Sequence, residues 1–296
     1  ANVSNMESVK FFSRFADVIV LARELTLKQV KEIADEIKRK KIKGPSGELV
    51  KIEIFVHGAL CMAVSGKCYL SLHTQHASAN RGACVQNCRR PYIVKDAETG
   101  EELMVDNEYI MSPKDLCTID ILDQVMESGA EVLKIEGRTK GAEYVQVVTQ
   151  CYREAIESVN DGTYSRGKVV EWKREMEKVY NRGFWEGYYL GRKLGEWTPH
   201  PGSAATEKKI YIGKGTKYYP KILVGEFILE SGSLKAGDTL MVIGPKCGMV
   251  KEIVTNLIIN GTSGKEAVKG DKITFPFATK ITPADKLYKI VGTSHA

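Results

Sequence analysis

The sequence predicts an α/β domain followed by a small antiparallel β-barrel, and three observations carry that prediction. Short apolar runs alternate with amphipathic helical segments through the first two thirds of the chain. From Lys208 onward, short strands separated by turn pairs replace that alternation. The charge changes at the same place. Residues 207–296 hold fourteen lysines, no arginine and eight acids, whereas residues 1–206 hold 29 basic and 29 acidic side chains. The net charge of +6 therefore resides entirely on the tail. The boundaries that follow are 1–196 for the α/β domain, 197–206 for a linker around Trp197-Thr198-Pro199-His200-Pro201, and 207–296 for the barrel.

The elements follow in order. Met6 to Phe15 has helical spacing, with Val9, Phe12 and Phe15 on one face. Val18-Ile19-Val20-Leu21 is a continuous apolar run, as expected of a strand buried on both faces. Thr26 is placed to cap an amphipathic helix whose inward residues are Leu27, Val30, Ile33 and Ile37. Gly44-Pro45-Ser46-Gly47 is a turn, and Ile52, Ile54 and Val56 alternate in a strand that breaks at His57-Gly58. After a cysteine-rich segment, the polar stretch 91–108 reads as hairpin-like. Ser112 and Pro113 then read as the cap and first position of a helix through Asp115 to Gly129. A strand over Glu131–Gly137, helices over Ala142–Val159 and Gly167–Lys178, and the aromatic connector NRGFWEGYYLG complete the domain.

Strand–helix alternation of this kind implies a parallel sheet with helices outside it, as in an α/β barrel or a doubly wound fold. About four units are present where a closed barrel has eight. The opening ANVSN reads as the loop after a strand that is not in the chain, so the N-terminal half of the barrel is expected to be missing.

Composition narrows the function classes. A hydrophobic fraction of 43% with 27% charged residues is ordinary for a globular protein. No leader-like or membrane-spanning run occurs, and a cytoplasmic location is the expectation. Seven cysteines make an odd count for a disulfide framework, and metal or redox chemistry suits their clustering better. The lysine excess on the tail is compatible with a phosphate backbone as partner, and equally with simple solubility. Neither H-E-x-x-H nor G-x-S-x-G is present.

The segment IEIFVHGALCMAVSGKCYLSLHTQHASANRGACVQNCRR organises the rest. Cys61, Cys68, Cys84 and Cys88 follow the spacing C-x6-C-x15-C-x3-C, and Cys117 follows after 28 intervening residues. No C-x2-C pair occurs, which argues against a zinc ribbon or a ferredoxin-type run. Thiolates spread through a wrapping loop still make a metal or iron–sulfur site workable. Cys61 is expected just past a strand end, and Cys117 in the first turn of a helix, where thiol pKa falls. Strand ends carry further candidates: Arg23 and Glu24 after one strand, Glu136 and Arg138 after another, and His57 at a third. Such pairs read as substrate or anion contacts or as structural ion pairs. His57 reads as ligand, acid/base or satisfied core histidine, and His73 and His76 as exposed. A Cys61–His57 nucleophilic pair also remains open, although neighbouring thiols suit a nucleophile poorly.

EIFVHGALCMAVSGKCYLS, NRGACVQNCRRPY, YIMSPKDLC and LKIEGRTK together resemble the collagenase-like peptidase family, the thirty-second family of peptidases of unknown catalytic type. That family includes tRNA and rRNA hydroxylation proteins. The tail, with GEFILESGSLKAGDTLMVIGP, is similar to the β-barrel second domain of elongation factors. The resemblance implies a partial (β/α) TIM-type barrel and a [4Fe–4S] cluster on Cys61, Cys68 and Cys84, with Cys88 or Cys117 as the fourth ligand. It also implies oxygen-independent 5-hydroxylation of tRNA wobble uridine with prephenate as cosubstrate, whose carboxylates Arg23, Arg138 and Arg81 would hold. A collagen-directed peptidase and a non-catalytic RNA-binding module are the alternatives.

Overall fold

In a computed structural model, the chain is described over residues 2–63, 68–78, 81, 83–90, 92–93, 95–101, 112–138, 140–191, 196–198, 202–283 and 285–293. It divides into two compact units, one of residues 1–139 and 148–204, the other of residues 140–147 and 205–296.

The first unit is built on a five-stranded mixed sheet. Strand β1 (Val18–Val20) runs parallel to β2 (Lys51–Gly58), with Ile19 opposite Ile52. On the other side of β2 lies β4 (Val132–Ile135), also parallel, with Phe55 opposite Lys134. The last residues of β2 pair antiparallel with β3 (Asp115–Cys117), which β5 (Phe184–Trp185) extends in parallel. Among the described residues the sheet does not close. The α/β class therefore holds, and the TIM-type barrel does not emerge from the strand pairing.

Local chemistry explains the helices. In α2 (Leu27–Lys40), Thr26 Oγ1 accepts the Gln29 N–H at 3.2 Å while Gln29 Oε1 accepts the Thr26 N–H at 2.9 Å. Lys38, Arg39 and Lys40 face the dipole at the other end. Val30, Ile33, Ala34 and Ile37 are its buried face, and burial of each larger aliphatic residue is worth roughly 1.5–3 kcal/mol. Gly129, at φ +81°, ends the turn after α4 (Leu122–Glu127); a Cβ there would stand 2.8 Å from that of Ala34. Helices α5 (Ala142–Asn160) and α6 (Arg166–Glu177, capped by Ser165) lie where periodicity predicts them, whereas α1 (Met6–Phe12) stops short of the expected Phe15, which lies outside the helix and is exposed.

Two expectations need correction. Ser112 and Pro113 do not open a helix: Asp115–Cys117 is strand β3, and α4 begins at Leu122 after a 3₁₀ turn over Ile119–Ile121. Leu116 and Cys117 are 2% and 1% exposed, and their backbone is committed to β2 and β5, so tertiary pairing overrides the local helix signal. The aromatic connector likewise contributes β5 to the sheet. Within the hairpin-like stretch, residues 95–101 form a turn in which Glu101 C=O accepts the Asp96 N–H. Residues 102–111 and 199–201 lie outside the described residues.

In the second unit every strand pairing is antiparallel. β6 (Glu207–Tyr219), β7 (Val224–Leu229), β9 (Thr239–Gly244), β10 (Gly248–Ile253), β11 (Ile258–Ile259), β12 (Thr262–Ser263), β14 (Lys272–Pro276) and β15 (Lys286–Gly292) make one sheet in the order β10-β9-β15-β6-β7-β14-β11-β12. β8 (Ser233–Lys235) and β13 (Glu266–Val268) form a separate pair. The core holds Ile212, Leu229, Leu240, Val242 and Leu287 around a stacked pair, Phe227 and Phe275, at 5.0 Å with Phe277 edge-on. The terminal strands β10 and β12 are not paired with each other among the described residues, so the sheet stays open where a closed barrel was expected. Among the described residues no helix is long and apolar enough to cross a membrane.

Candidate functional site

Four of the clustered cysteines share one cavity. Cys61, Cys68, Cys84 and Cys88 line a space of about 130 Å³ with Leu70 and Asn87. Cys61 follows β2 at the strand's C-terminal end. Cys68 stands at the head of α3 (Tyr69–Gln75), a helix the loop-like composition of this stretch does not announce. Cys84 is exposed, and Cys88 sits in a 3₁₀ turn over Asn87–Arg89. Asn87 ties that turn to α3, its amide donating to Leu70 O and to Thr74 Oγ1, while Tyr92 Oη donates to Asn87 O at 2.8 Å.

The thiols differ electrostatically. Burial pushes Cys68 up, but hydrogen bonds from the Ser71 backbone and side chain, and from the Leu70 backbone, outweigh it and leave the thiol below its ordinary range. The Ser71 N–H lies 3.4 Å from the sulfur. Burial raises Cys88, Arg89 opposes that, and charge on Cys61, Cys84 and Cys68 raises it further. Cys88 therefore feels the charge of the other three.

Cys117 does not join them. It is buried in β3 opposite His57, 3.9 Å from the Tyr152 hydroxyl, and burial pushes its thiol up to about 12. The low-pKa helix start expected for it does not exist. Among the described residues no three His, Cys, Asp or Glu side chains converge tightly enough to hold a single metal ion. A lone zinc would draw its sulfurs to about 2.3 Å. Four thiols spread around a cavity fit a polynuclear centre, in which each sulfur binds a different metal atom.

Arg89 fastens this segment from beneath. Its Nη2 donates to Leu60 O at 2.8 Å, and its Nη1 to Pro113 O at 2.7 Å and Ser112 Oγ at 3.3 Å. Next to it lie Arg182, 10% exposed, and Asp115, 1% exposed, with Arg182 Nη1 and Asp115 Oδ1 3.6 Å apart. At that separation neither Asp115 oxygen has a hydrogen-bond partner among the described residues. Sequence reasoning passed over all three. The doubled arginine in CRRPY was the only local signal.

The strand-end candidates are placed as follows. Arg23 Nη1 donates to Ala59 O at 2.8 Å, and its guanidinium lies 4.5 Å from the Phe55 ring centroid. Lys134 approaches the same ring at 5.2 Å and pairs with Glu53 at 2.6 Å. Phe55 and Lys134 were not among the expected site residues. Glu24 is exposed and lies near the buried Tyr189. Glu136 Oε1 accepts the Arg138 backbone N–H at 2.9 Å, and Arg138 is exposed, so this pair closes a turn. His57 is 1% exposed between the rings of Tyr152 and Phe184, each 5.5 Å away, which makes it a core residue. Arg81, His73 and His76 are exposed.

The sequence matches the model of Peptidase family U32 over residues 1–199. A collagenase of Porphyromonas gingivalis is 52% identical over 288 residues, covering 97% of this chain and 70% of the relative. An uncharacterized protease of Methanocaldococcus jannaschii is 38% identical over 297 residues, 99% of this chain and 71% of its own length. Bacillus subtilis tRNA hydroxylation protein P1 is 33% identical over 195 residues, 64% of this chain and 44% of the relative. A family match over two thirds of the chain, with a relative 52% identical over nearly all of it, makes this protein a member of peptidase family U32.

Proposed function

We propose that this protein is an iron–sulfur enzyme acting on RNA, with a [4Fe–4S] cluster held by Cys61, Cys68, Cys84 and Cys88. The observation that carries the reading is the shared cavity of those four thiols, one of them held toward thiolate by Ser71. Soft thiolate donors select such clusters, and the set is complete without Cys117. When bound, the cluster would supply electron transfer at the C-terminal end of β2.

The substrate reading is 5-hydroxylation of tRNA wobble uridine with prephenate as cosubstrate. Its support is the name of the B. subtilis relative and the lysine excess of residues 207–296. Lys209, Lys214, Lys251 and Lys289 are tied to carboxylates, while Lys208, Lys217, Lys221 and Lys286 enter no ion pair among the described residues. The exposed Arg81 and Arg138 are available for a small dicarboxylate, whereas Arg23 is engaged with Ala59 and Phe55. Iron and acid-labile sulfide in anaerobically purified protein, together with 5-hydroxyuridine in tRNA from a strain lacking the gene, test both halves. Fully modified tRNA in that strain would overturn the substrate half.

The peptidase reading draws on the collagenase and protease names of the more similar relatives. A thiol nucleophile needs a base within hydrogen-bond reach. The buried placement of His57 against Tyr152 and Phe184 speaks against that role. Proteolysis that survives stringent purification and is lost in Cys61→Ser would favour the peptidase.

A further inference from the structure

We infer that Arg89 is a positioning residue for the thiol site: it holds Cys61 and Cys88 in register and places a half-buried positive charge beside the thiols. This rests on the cluster reading for its electrostatic half but not for its geometric half.

The geometry is specific. Arg89 directly follows Cys88, and the carbonyl it grips at 2.8 Å belongs to Leu60, directly before Cys61. One guanidinium thus ties the first and last thiol-bearing positions of a 28-residue segment to each other. Its other nitrogen anchors both to Pro113 and Ser112, the residues leading into β3. All three contacts come from a planar fork, a pattern a lysine ammonium on a flexible stem cannot reproduce. Because two acceptors are backbone carbonyls, the tie is independent of the side chains at 60 and 113.

The charge balance points the same way. Among the described residues, the charged groups facing Arg89 are Arg182 and Asp115, with the Cys88 thiol and the Tyr180 phenol beside them. Among the described residues, two half-buried cations against one buried carboxylate leave one positive charge without a matching carboxylate next to Cys88. An uncompensated buried charge is costly unless an opposite charge meets it. Four thiolates carrying a cluster are net negative and supply that opposite charge. The excess cation favours the more negative, reduced form, so it raises the reduction potential.

The test compares the wild-type chain with Arg89→Lys and Arg89→Gln, each checked for folding by circular dichroism. In metal-free protein, dibromobimane is used to bridge thiols, and the Cys61–Cys88 bridged peptide is quantified by mass spectrometry. Its yield is expected to fall at least about fivefold in both variants, since each breaks the fork. In protein reconstituted with iron and sulfide, the midpoint potential is expected to move negative in Arg89→Gln and to stay at the wild-type value in Arg89→Lys. Unchanged bridging in both variants would overturn the positioning role, and identical potentials in all three proteins would overturn the electrostatic one. A wild-type chain that binds no cluster, yet loses bridging on substitution, would overturn the cluster reading and leave the positioning role standing.

Discussion

His57 and Cys117 face each other across the β2–β3 ladder, and that pairing removes both from the reactive surface. Each is 1% exposed, and Tyr152 touches both, through its ring for His57 and its hydroxyl for Cys117. Cys117→Ala is therefore expected to leave iron and sulfide content unchanged while lowering stability by about 1 kcal/mol, a typical cost for a small loss in a packed interior. Cys88→Ser is expected to do the reverse, abolishing cluster uptake with little effect on the urea midpoint. Loss of iron from the Cys117 variant alone would show that the fourth ligand had been assigned to the wrong thiol.

That pairing also marks where the sequence stopped being legible. The β1, β2 and α2 segments were readable because one local property decides each: Val18–Val20 is wholly apolar, and Leu27–Lys40 repeats its aliphatics at helical spacing. Asp115–Cys117 was not. Ser112-Pro113 is a strong local helix signal, but the strand exists because β2 and β5 offer it partners distant in sequence. The choice between Cys88 and Cys117 depended on that same misread element. Asp115, Arg182 and Arg89 could not be joined from sequence, since residues 89, 115 and 182 meet only through the sheet.

Asp115 is a buried counter-charge for two half-buried arginines, so removing its charge should be costly. Although its 3.6 Å approach to Arg182 is too long for a hydrogen bond, Asp115→Asn would leave Arg89 and Arg182 facing each other without a carboxylate between them among the described residues. A loss of about 3 kcal/mol is expected, as for one broken partner of a buried pair. The double variant Asp115→Leu with Arg182→Met should lose less than Asp115→Asn alone, because no unpaired charge remains on either position. Urea denaturation of the three chains measures this, and additive losses would reject the coupling.

The thiols should react in a defined order as pH rises. Thiolate is the reactive form, so a lowered pKa brings reaction to lower pH and a raised one delays it. Cys68, held down by Ser71 and Leu70, should alkylate at lower pH than Cys88, held up by burial. Cys117, pushed up to about 12 and enclosed, should stay unmodified in the folded protein. Ser71→Ala removes the hydroxyl contact but not the backbone one, and should shift Cys68 part of the way back up. Timed iodoacetamide labelling with peptide mass analysis reads the order. If Cys88 reacted first, the hydrogen bonds around Cys68 would not be controlling its ionisation.

RNA contact, finally, should be read from salt dependence rather than from affinity at one condition. Lys217 and Lys221 lie in and beside the hairpin joining β6 to β7, Lys217 with its ammonium 4.9 Å from the Tyr219 ring centroid. Ile222 and Leu223 stand exposed at the same tip, 66% and 51% accessible. For a polyanion partner, log K should fall linearly with log salt, each phosphate contact contributing a slope of roughly −0.9 on duplex and −0.7 on single strands. Replacing both lysines with glutamine should flatten the slope for tRNA by about two contacts' worth and weaken binding most at low salt. The same protein carrying Lys209→Gln, whose lysine is already paired with Glu143, should change the slope much less. Equal slopes in the double-lysine variant and the unmodified chain would mean that this hairpin does not touch the phosphate backbone, and that its lysines serve solubility.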